Sequence, residues 1–272
     1  MKRMMRLMVS FLAMTSFAVL GQDAKKVEML WLGHSAWKIT TPGGKVIVID
    51  PYLVNNPKTP AEYKNLDALG KVDLILVTHA HADHFGDAPA LAKKSNAPVF
   101  TAGGLGQTLV TLGILPAELA PRFGKGGTIA PFGPSGVKIT ATHAEHASEF
   151  VWKNAEGKDQ VHVGGEPVGY VIELENGFKI FHMGDTGLFG DMKLIGEYYK
   201  PDLILIPIGG SNTMDSRDAA FATREWLKPR YAVPMHYGTT PVLTGTPEEY
   251  MKALGSAPVK VFPISPGEKL TF

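Results

Sequence analysis

Residues 79–84 read His79-Ala80-His81-Ala82-Asp83-His84 and follow directly on the apolar run Val72-Asp73-Leu74-Ile75-Leu76-Val77. Three imidazoles and a carboxylate within six positions restrict what this chain can fold into. Such groups are costly to bury without partners. Yet the run before them has the composition of a buried strand. A short buried strand that opens into a polar loop is where α/β folds keep their chemistry, at the carboxyl ends of the strands. The residue types are those of a metal site. Alternate residues of an extended segment point the same way, so His79 and His81 can reach one ion together. Asp83 and His84 lie one step further, where the chain turns towards a helix, and can face a second ion. The chain contains no cysteine. Disulfides and thiolate ligands are thereby excluded, and every metal ligand must be a nitrogen or oxygen donor.

The first twenty residues stand apart from the core. Lys2, Arg3 and Arg6 precede an apolar stretch, 7–20, which is too short to span a bilayer comfortably. Polar Gln22-Asp23-Ala24-Lys25-Lys26 follows. This is the layout of a secretory signal peptide cut after Gly21, with an uncleaved amphipathic anchor as the alternative. The expected division is a signal peptide over 1–21 and one domain over 22–272. The mature protein is then periplasmic or secreted, with no stable membrane span. Cleavage removes three of the 27 Lys and Arg and none of the 26 Asp and Glu, turning the formal charge from +1 to about −2. No basic run remains, so a nucleic-acid partner is not expected. Hydrophobic residues at 44% and charged residues at 19% suffice for a large core.

Strand signals recur along the chain. They fall at 27–32, 37–40 and 45–50, the last two joined by the turn Thr41-Pro42-Gly43-Gly44. Others fall at 72–78, 98–100, 128–132, 137–142, 168–174, 178–182, 203–208, 231–234 and 259–262. Helices are expected after Asp87, read as an N-cap with Pro89 in the first turn, and over 105–112, 218–227 and Pro247–Leu254. Two strand-rich halves, each with helices, predict two sheets packed face to face with helices outside. Loops around 52–68, 149–167 and 209–216 are expected to shape the pocket.

Four ligands from one loop do not close two sites, because each ion needs more donors and open positions for water and substrate. Candidates lie at other strand ends: His146 after 137–142, Asp185 after 178–182 and His236 after 231–234. His143 competes with His146, since residues three apart in an extended segment face opposite ways. His182 reads as a core residue or as a group that supports a ligand from behind, and His162 as solvated. His34 follows the first strand at a glycine turn and can line the pocket or orient a ligand. Asp50 can bond to the motif loop or simply end its strand.

With these residues in hand, the chain resembles the metallo-β-lactamase superfamily. Within it, the chain is most similar to a metal-dependent hydrolase family related to L-ascorbate-6-phosphate lactonase. The matching stretches include Gly33-His34-Ser35-Ala36, Ile49-Asp50-Pro51, Thr78 to His84, and Gly164-Gly165-Glu166-Pro167-Val168-Gly169-Tyr170. Gly184-Asp185-Thr186-Gly187, Pro207-Ile208-Gly209-Gly210 and Pro234-Met235-His236-Tyr237 complete them. The likeness spans about 27–270. It implies an α/β (α+β) fold, a four-layer αββα sandwich. It favours His146 over His143. It implies that His79, His81 and His146 hold one ion, that Asp83, His84 and His236 hold a second, and that Asp185 bridges them.

The expected activity is metal-dependent hydrolysis, in which a hydroxide held by two ions attacks a carbonyl or phosphoryl centre. Asp83 is the expected catalytic residue, orienting the nucleophile and passing a proton to the leaving group. A lactone-type ester of a small molecule is the favoured substrate. A phosphodiester hydrolase and a non-enzymatic periplasmic metal-binding protein are the alternatives. The cofactor is expected to be two divalent metal ions, Zn²⁺ first, although Mn²⁺, Fe²⁺, Co²⁺ and Ni²⁺ accept the same donors. A homo-oligomer is compatible with the sequence.

Overall fold

The run Leu74-Ile75-Leu76 shows how the layers form. All three side chains are buried, Leu74 and Leu76 in one hydrophobic cluster and Ile75 in another. A strand presents alternate residues to opposite faces, so a strand buried on both faces reads as an unbroken apolar run. Leu203-Ile204-Leu205-Ile206 repeats the pattern in the second half, dividing its residues between an inner and an outer cluster. The inner cluster is shared by the two halves and also holds Trp31, Trp37, Ile139 and Tyr170.

The protein is described by a computed structural model that covers residues 26–272. The expected signal peptide over 1–21 lies outside the described residues. One sheet contains β1 (Glu28–Gly33), β2 (Ala36–Thr40), β3 (Val46–Ile49), β4 (Leu74–Leu76), β5 (Val99–Ala102) and β6 (Arg122–Phe123) in that order. The C-terminal β16 (Lys269–Thr271) pairs on the free edge of β1. The second sheet runs β7 (Thr128–Ile129), β8 (Lys138–His143), β11 (Val168–Glu173), β12 (Lys179–His182), β13 (Leu203–Pro207), β14 (Tyr231–Met235) and β15 (Lys260–Val261). Between β8 and β11 the chain forms a separate hairpin, β9 (Glu149–Lys153) and β10 (Asp159–Val163).

Both sheets begin with antiparallel pairs and end with parallel ones, β3 to β6 in the first and β12 to β15 in the second. Helices α1 (Ala82–Phe85), α2 (Ala88–Ser95) and α3 (Gly103–Thr111) send Phe85, Leu91, Leu105 and Leu109 against the outer face of the first sheet. Helices α4 (Met192–Leu194), α5 (Ser216–Phe221) and α6 (Pro247–Leu254) cover the second sheet with Met192, Ala219 and Tyr250. The order of layers is therefore αββα, as expected. Helix α6 has the predicted bounds because Thr246 and Glu249 form a reciprocal capping box around Pro247. No helix among the described residues is long and apolar enough to cross a membrane.

Two local expectations change. Asp87 precedes α2, but its carboxylate does not cap that helix; it accepts from the backbone of Leu53 at 2.7 Å and Val54 at 3.0 Å. It thus ties down the loop after β3. The segment 149–167, expected as a loop, is largely the β9–β10 hairpin. Its turn is closed by Asn154, whose Oδ1 accepts from the backbone of Glu156 and Lys158. The apolar residues here fall on both pleat faces and part of them stay exposed, so the alternation that marks a half-buried strand is missing.

Candidate metal centre

β3 and β4 run parallel and in register, so their ends lie side by side. Asp50, just after β3, is fully buried and accepts from Thr78 N at 2.7 Å and from Thr78 Oγ1 at 2.7 Å. Its Oδ2 also lies 2.8 Å from His84 Nδ1. One carboxylate therefore grips both ends of the His-rich run. A carboxylate only accepts, so His84 carries a proton on Nδ1 and turns Nε2 inward. Thr78 gives its hydroxyl proton to Asp50, which leaves its oxygen to accept from His79 Nδ1 at 3.1 Å. His79 then also faces inward with Nε2. His81 Nε2 lies 3.1 Å from Glu149 Oε2, and its Nδ1 lies 3.0 Å from His79 Nε2. Three rings are thus held in tautomers whose free lone pairs converge.

The other strand ends complete the cluster. His79, His81 and His146 offer ligand atoms all within 4.8 Å of one another; so do His34, Asp83, His84 and His236. Asp185 lies between the two groups. Its Oδ2 is 2.9 Å from His236 Nε2 and 3.7 Å from His146 Nε2, and its Oδ1 is 3.2 Å from His84 Nε2. The approach of Asp185 is made by Gly184, whose φ is +61°; a Cβ there would press on Thr78 at 2.9 Å.

These atoms are close but not aligned as hydrogen bonds. His84 Nε2, His146 Nε2, Asp185 Oδ1 and both ring nitrogens of His236 are buried without a hydrogen-bond partner. Each such orphan costs about 1–3 kcal/mol. Four side chains with such atoms gathered around Asp185 fit divalent ions, for which N and O donors of this kind are the ligands. Backbone strain collects here too: Asp50, His34 and His236 all adopt positive φ, at 46°, 56° and 55°.

The charge states agree with that reading. Burial, then the charge of His84, holds His79 well below its ordinary pKa. Burial and the neighbouring His236 push His34 down to about 4. Burial likewise lowers His146. These rings are neutral imidazoles at neutral pH, the form that binds metals. Burial would lower His84 as well, but Asp185 and Asp50 outweigh it and hold its pKa well above the ordinary value. Burial would raise Asp185, but His236 and His84 hold it well below the usual carboxylate range. Without an ion His84 is thus an imidazolium, and a cation bound beside Asp185 would replace its Nε2 proton and free that lone pair.

The structure brings together all seven expected residues: His79, His81, Asp83, His84, His146, Asp185 and His236. His143 instead faces Lys125 and Glu145. His182 is a core residue whose Nε2 lies 2.9 Å from the Ser35 carbonyl, and His162 sits half-buried on β10. Sequence reasoning left His34 open. It proves part of the second group, with Nε2 3.1 Å from Asp83 Oδ2 and Nδ1 2.9 Å from Thr239 Oγ1. Glu149 was missed altogether, since a single acidic residue in an expected loop carries no signal.

Fold and cluster define a metal-dependent hydrolase of the metallo-β-lactamase superfamily. Residues 45–237 match the beta-lactamase superfamily domain. The chain is 65% identical over 251 residues to a UPF0173 metal-dependent hydrolase of Cupriavidus necator, covering 92% of this chain and 87% of that protein. It is 46% identical over 246 residues to one from Rubrobacter xylanophilus, covering 89% and 96%. Igni18, a metallo hydrolase from the archaeon Ignicoccus hospitalis, superposes with a TM-score of 0.75 at 34% identity, covering 91% of this chain and 98% of that one. The chain belongs to the UPF0173 metal-dependent hydrolases of this superfamily.

Proposed function

We propose that the enzyme uses two divalent ions, with Zn²⁺ the first choice, to hydrolyse a lactone-type ester of a small molecule. The observation that carries this reading is the pair of ligand groups with Asp185 between them, in which His84, His146, Asp185 and His236 keep buried atoms without a hydrogen-bond partner. His79, His81 and His146 would hold one ion. Asp83, His84 and His236 would hold the other, with His34 beside them and Asp185 shared. Bound there, two ions would acidify a water and polarise the carbonyl oxygen of the substrate.

The chain's own residues supply the rest. Asp83 is partly exposed, with 45% of its side chain open, and faces His34 through Oδ2. Burial would raise its pKa, but His34 and His84 hold it well below the usual carboxylate range. It is thus an ionised acceptor at the mouth, placed to orient the water, take its proton and pass it to the leaving alkoxide. The acyl carbon–oxygen bond breaks; water supplies the new hydroxyl of the acid and the proton of the alcohol. Carboxylates beside the cluster, Asp83 and Glu149, favour an uncharged ester over a phosphodiester.

Two measurements test the reading. Metal analysis should find about two ions per chain, and His79→Ala should lower that count. A panel of lactones, phosphodiesters and amides should show turnover on lactones that Asp83→Ala abolishes. Turnover confined to phosphodiesters, or no metal under replete conditions, overturns it. Export to the periplasm or medium belongs to the same proposal, from the signal-like residues 1–21. N-terminal sequencing of the native protein should begin near Gln22; an intact Met1 overturns cleavage.

A further inference from the structure

The β9–β10 hairpin presents an apolar face that its own packing does not explain. Its register pairs Val161 with Val151 and Val163 with Glu149. Cross-strand partners lie on the same face of a sheet, and so do residues two apart. Glu149, Val151, Val161 and Val163 therefore share one face. Phe150, Trp152 and His162 share the other. The second face is used: Phe150 meets Phe85 of α1 edge to face at 5.2 Å and stacks with Trp152 at 5.5 Å. The first is open, with Val151 52%, Val161 66% and Val163 69% exposed. Three β-branched apolar residues in one exposed row are unusual on a soluble surface.

This face leads to the metal centre. The face carries a Lys153–Asp159 ion pair at its far end, and at its near end Glu149 reaches His81 Nε2 at 3.1 Å, His81 being an expected ligand. The hairpin is also fixed in place. Ser148 Oγ accepts from Ala80 N at 3.1 Å and donates to the Gly164 carbonyl at 2.9 Å. Thr108 of α3 donates its hydroxyl to the Val163 carbonyl at 2.7 Å. The valines thus form a rigid apolar rail that starts at the rim of the site.

We propose that this rail binds the acyl chain of the substrate, so that the enzyme acts on esters or lactones bearing an aliphatic chain of medium length. The inference rests on the hydrolase reading above and names its substrate class. An aliphatic chain laid along Val151, Val161 and Val163 would leave its carbonyl end beside His81. A second copy of the chain is the other candidate occupant. The continuity of the face with an expected metal ligand favours substrate, because a partner chain seated there would crowd the mouth.

The test uses the full metal-loaded protein and simple carboxylates, so that binding is read apart from turnover. Decanoate should bind at least about tenfold more tightly than butyrate, since its extra methylenes leave water. The triple variant Val151→Thr/Val161→Thr/Val163→Thr keeps the β-branched shape of each side chain. It should retain wild-type metal content and butyrate affinity while losing most of the preference for decanoate. Equal binding of the two acids by the wild type overturns the rail, whatever esters are hydrolysed. So does a triple variant that keeps the preference. A wild-type oligomer that the triple variant turns into a monomer, with decanoate affinity unchanged, assigns the face to self-association and also overturns it. Preference for decanoate without turnover of any ester leaves the rail standing and removes the lactone reading instead.

Discussion

Asp185→Asn is expected to strip at least one of the two proposed ions and to lower kcat/KM on the order of 10³-fold, the scale of losing a key electrostatic group in a dry site. The substitution keeps the shape of the side chain and removes its charge. Asp185 is 4% exposed and lies within 4 Å of ring nitrogens of His84, His146 and His236. Two divalent ions drawn to those rings would repel each other strongly in a medium of low dielectric. A carboxylate between them offsets that repulsion, and a neutral amide does not. The amide also carries N–H donors, which can only clash with a cation on one side. Metal analysis and steady-state kinetics on the same preparation check the result. Asp185→Asn with two ions and wild-type turnover removes Asp185 from its bridging place.

The same variant separates metal loss from misfolding. In chelator, the protein already lacks its ions, so Asp185→Asn removes only the contacts with the three histidines. Its unfolding in chelator should then resemble that of the wild type far more closely than its unfolding in metal does. The difference between the two conditions measures what the ions add to stability by binding the folded state alone.

Much of this site is legible in the sequence because ligands in this fold sit where apolar strands end. The run after β4 announces itself, and His146, Asp185 and His236 each follow a strand whose alternation or apolar run is plain. The αββα order follows from the same evidence, since Leu74-Ile75-Leu76 and Leu203 to Ile206 are buried on both faces. What stays hidden depends on contacts far apart in the chain. His34 joins the cluster only because its φ of +56° turns the ring towards Asp83, 49 residues away. Asp50 holds Thr78 and His84 only because β3 and β4 lie in parallel register, which no local pattern encodes. Asp87 has the look of a helix cap, yet tertiary structure recruits its carboxylate to Leu53 and Val54. Glu149 and its valines are the extreme case. Their strand has no buried face at Val151, so periodicity has nothing to report.

Asp50→Asn tests whether a residue that touches no ion still governs one. An asparagine can keep its oxygen on Thr78 N. Its amide nitrogen then stands where Oδ2 stood, facing both Thr78 Oγ1 and His84 Nδ1. An N–H facing an N–H is repulsive, so His84 relieves it by moving its proton to Nε2. That nitrogen is the one aimed at Asp185, and a protonated ring nitrogen is no ligand. Affinity for the ion proposed to sit on Asp83, His84 and His236 should fall about 10–100-fold. The group His79, His81 and His146 should lose less, because it feels Asp50 only through Thr78. The stabilisation that metal gives should shrink by about 1.4–2.7 kcal/mol at fixed free metal. For a domain of this size that is a Tm gain smaller by roughly 3–10 °C. Metal-buffered titration gives the two affinities separately, and thermal melts with and without metal give the linkage. Equal weakening of both sites would show that Asp50 acts on the motif loop as a whole. Wild-type affinity at the second site would show that Asp50 does not set the His84 tautomer.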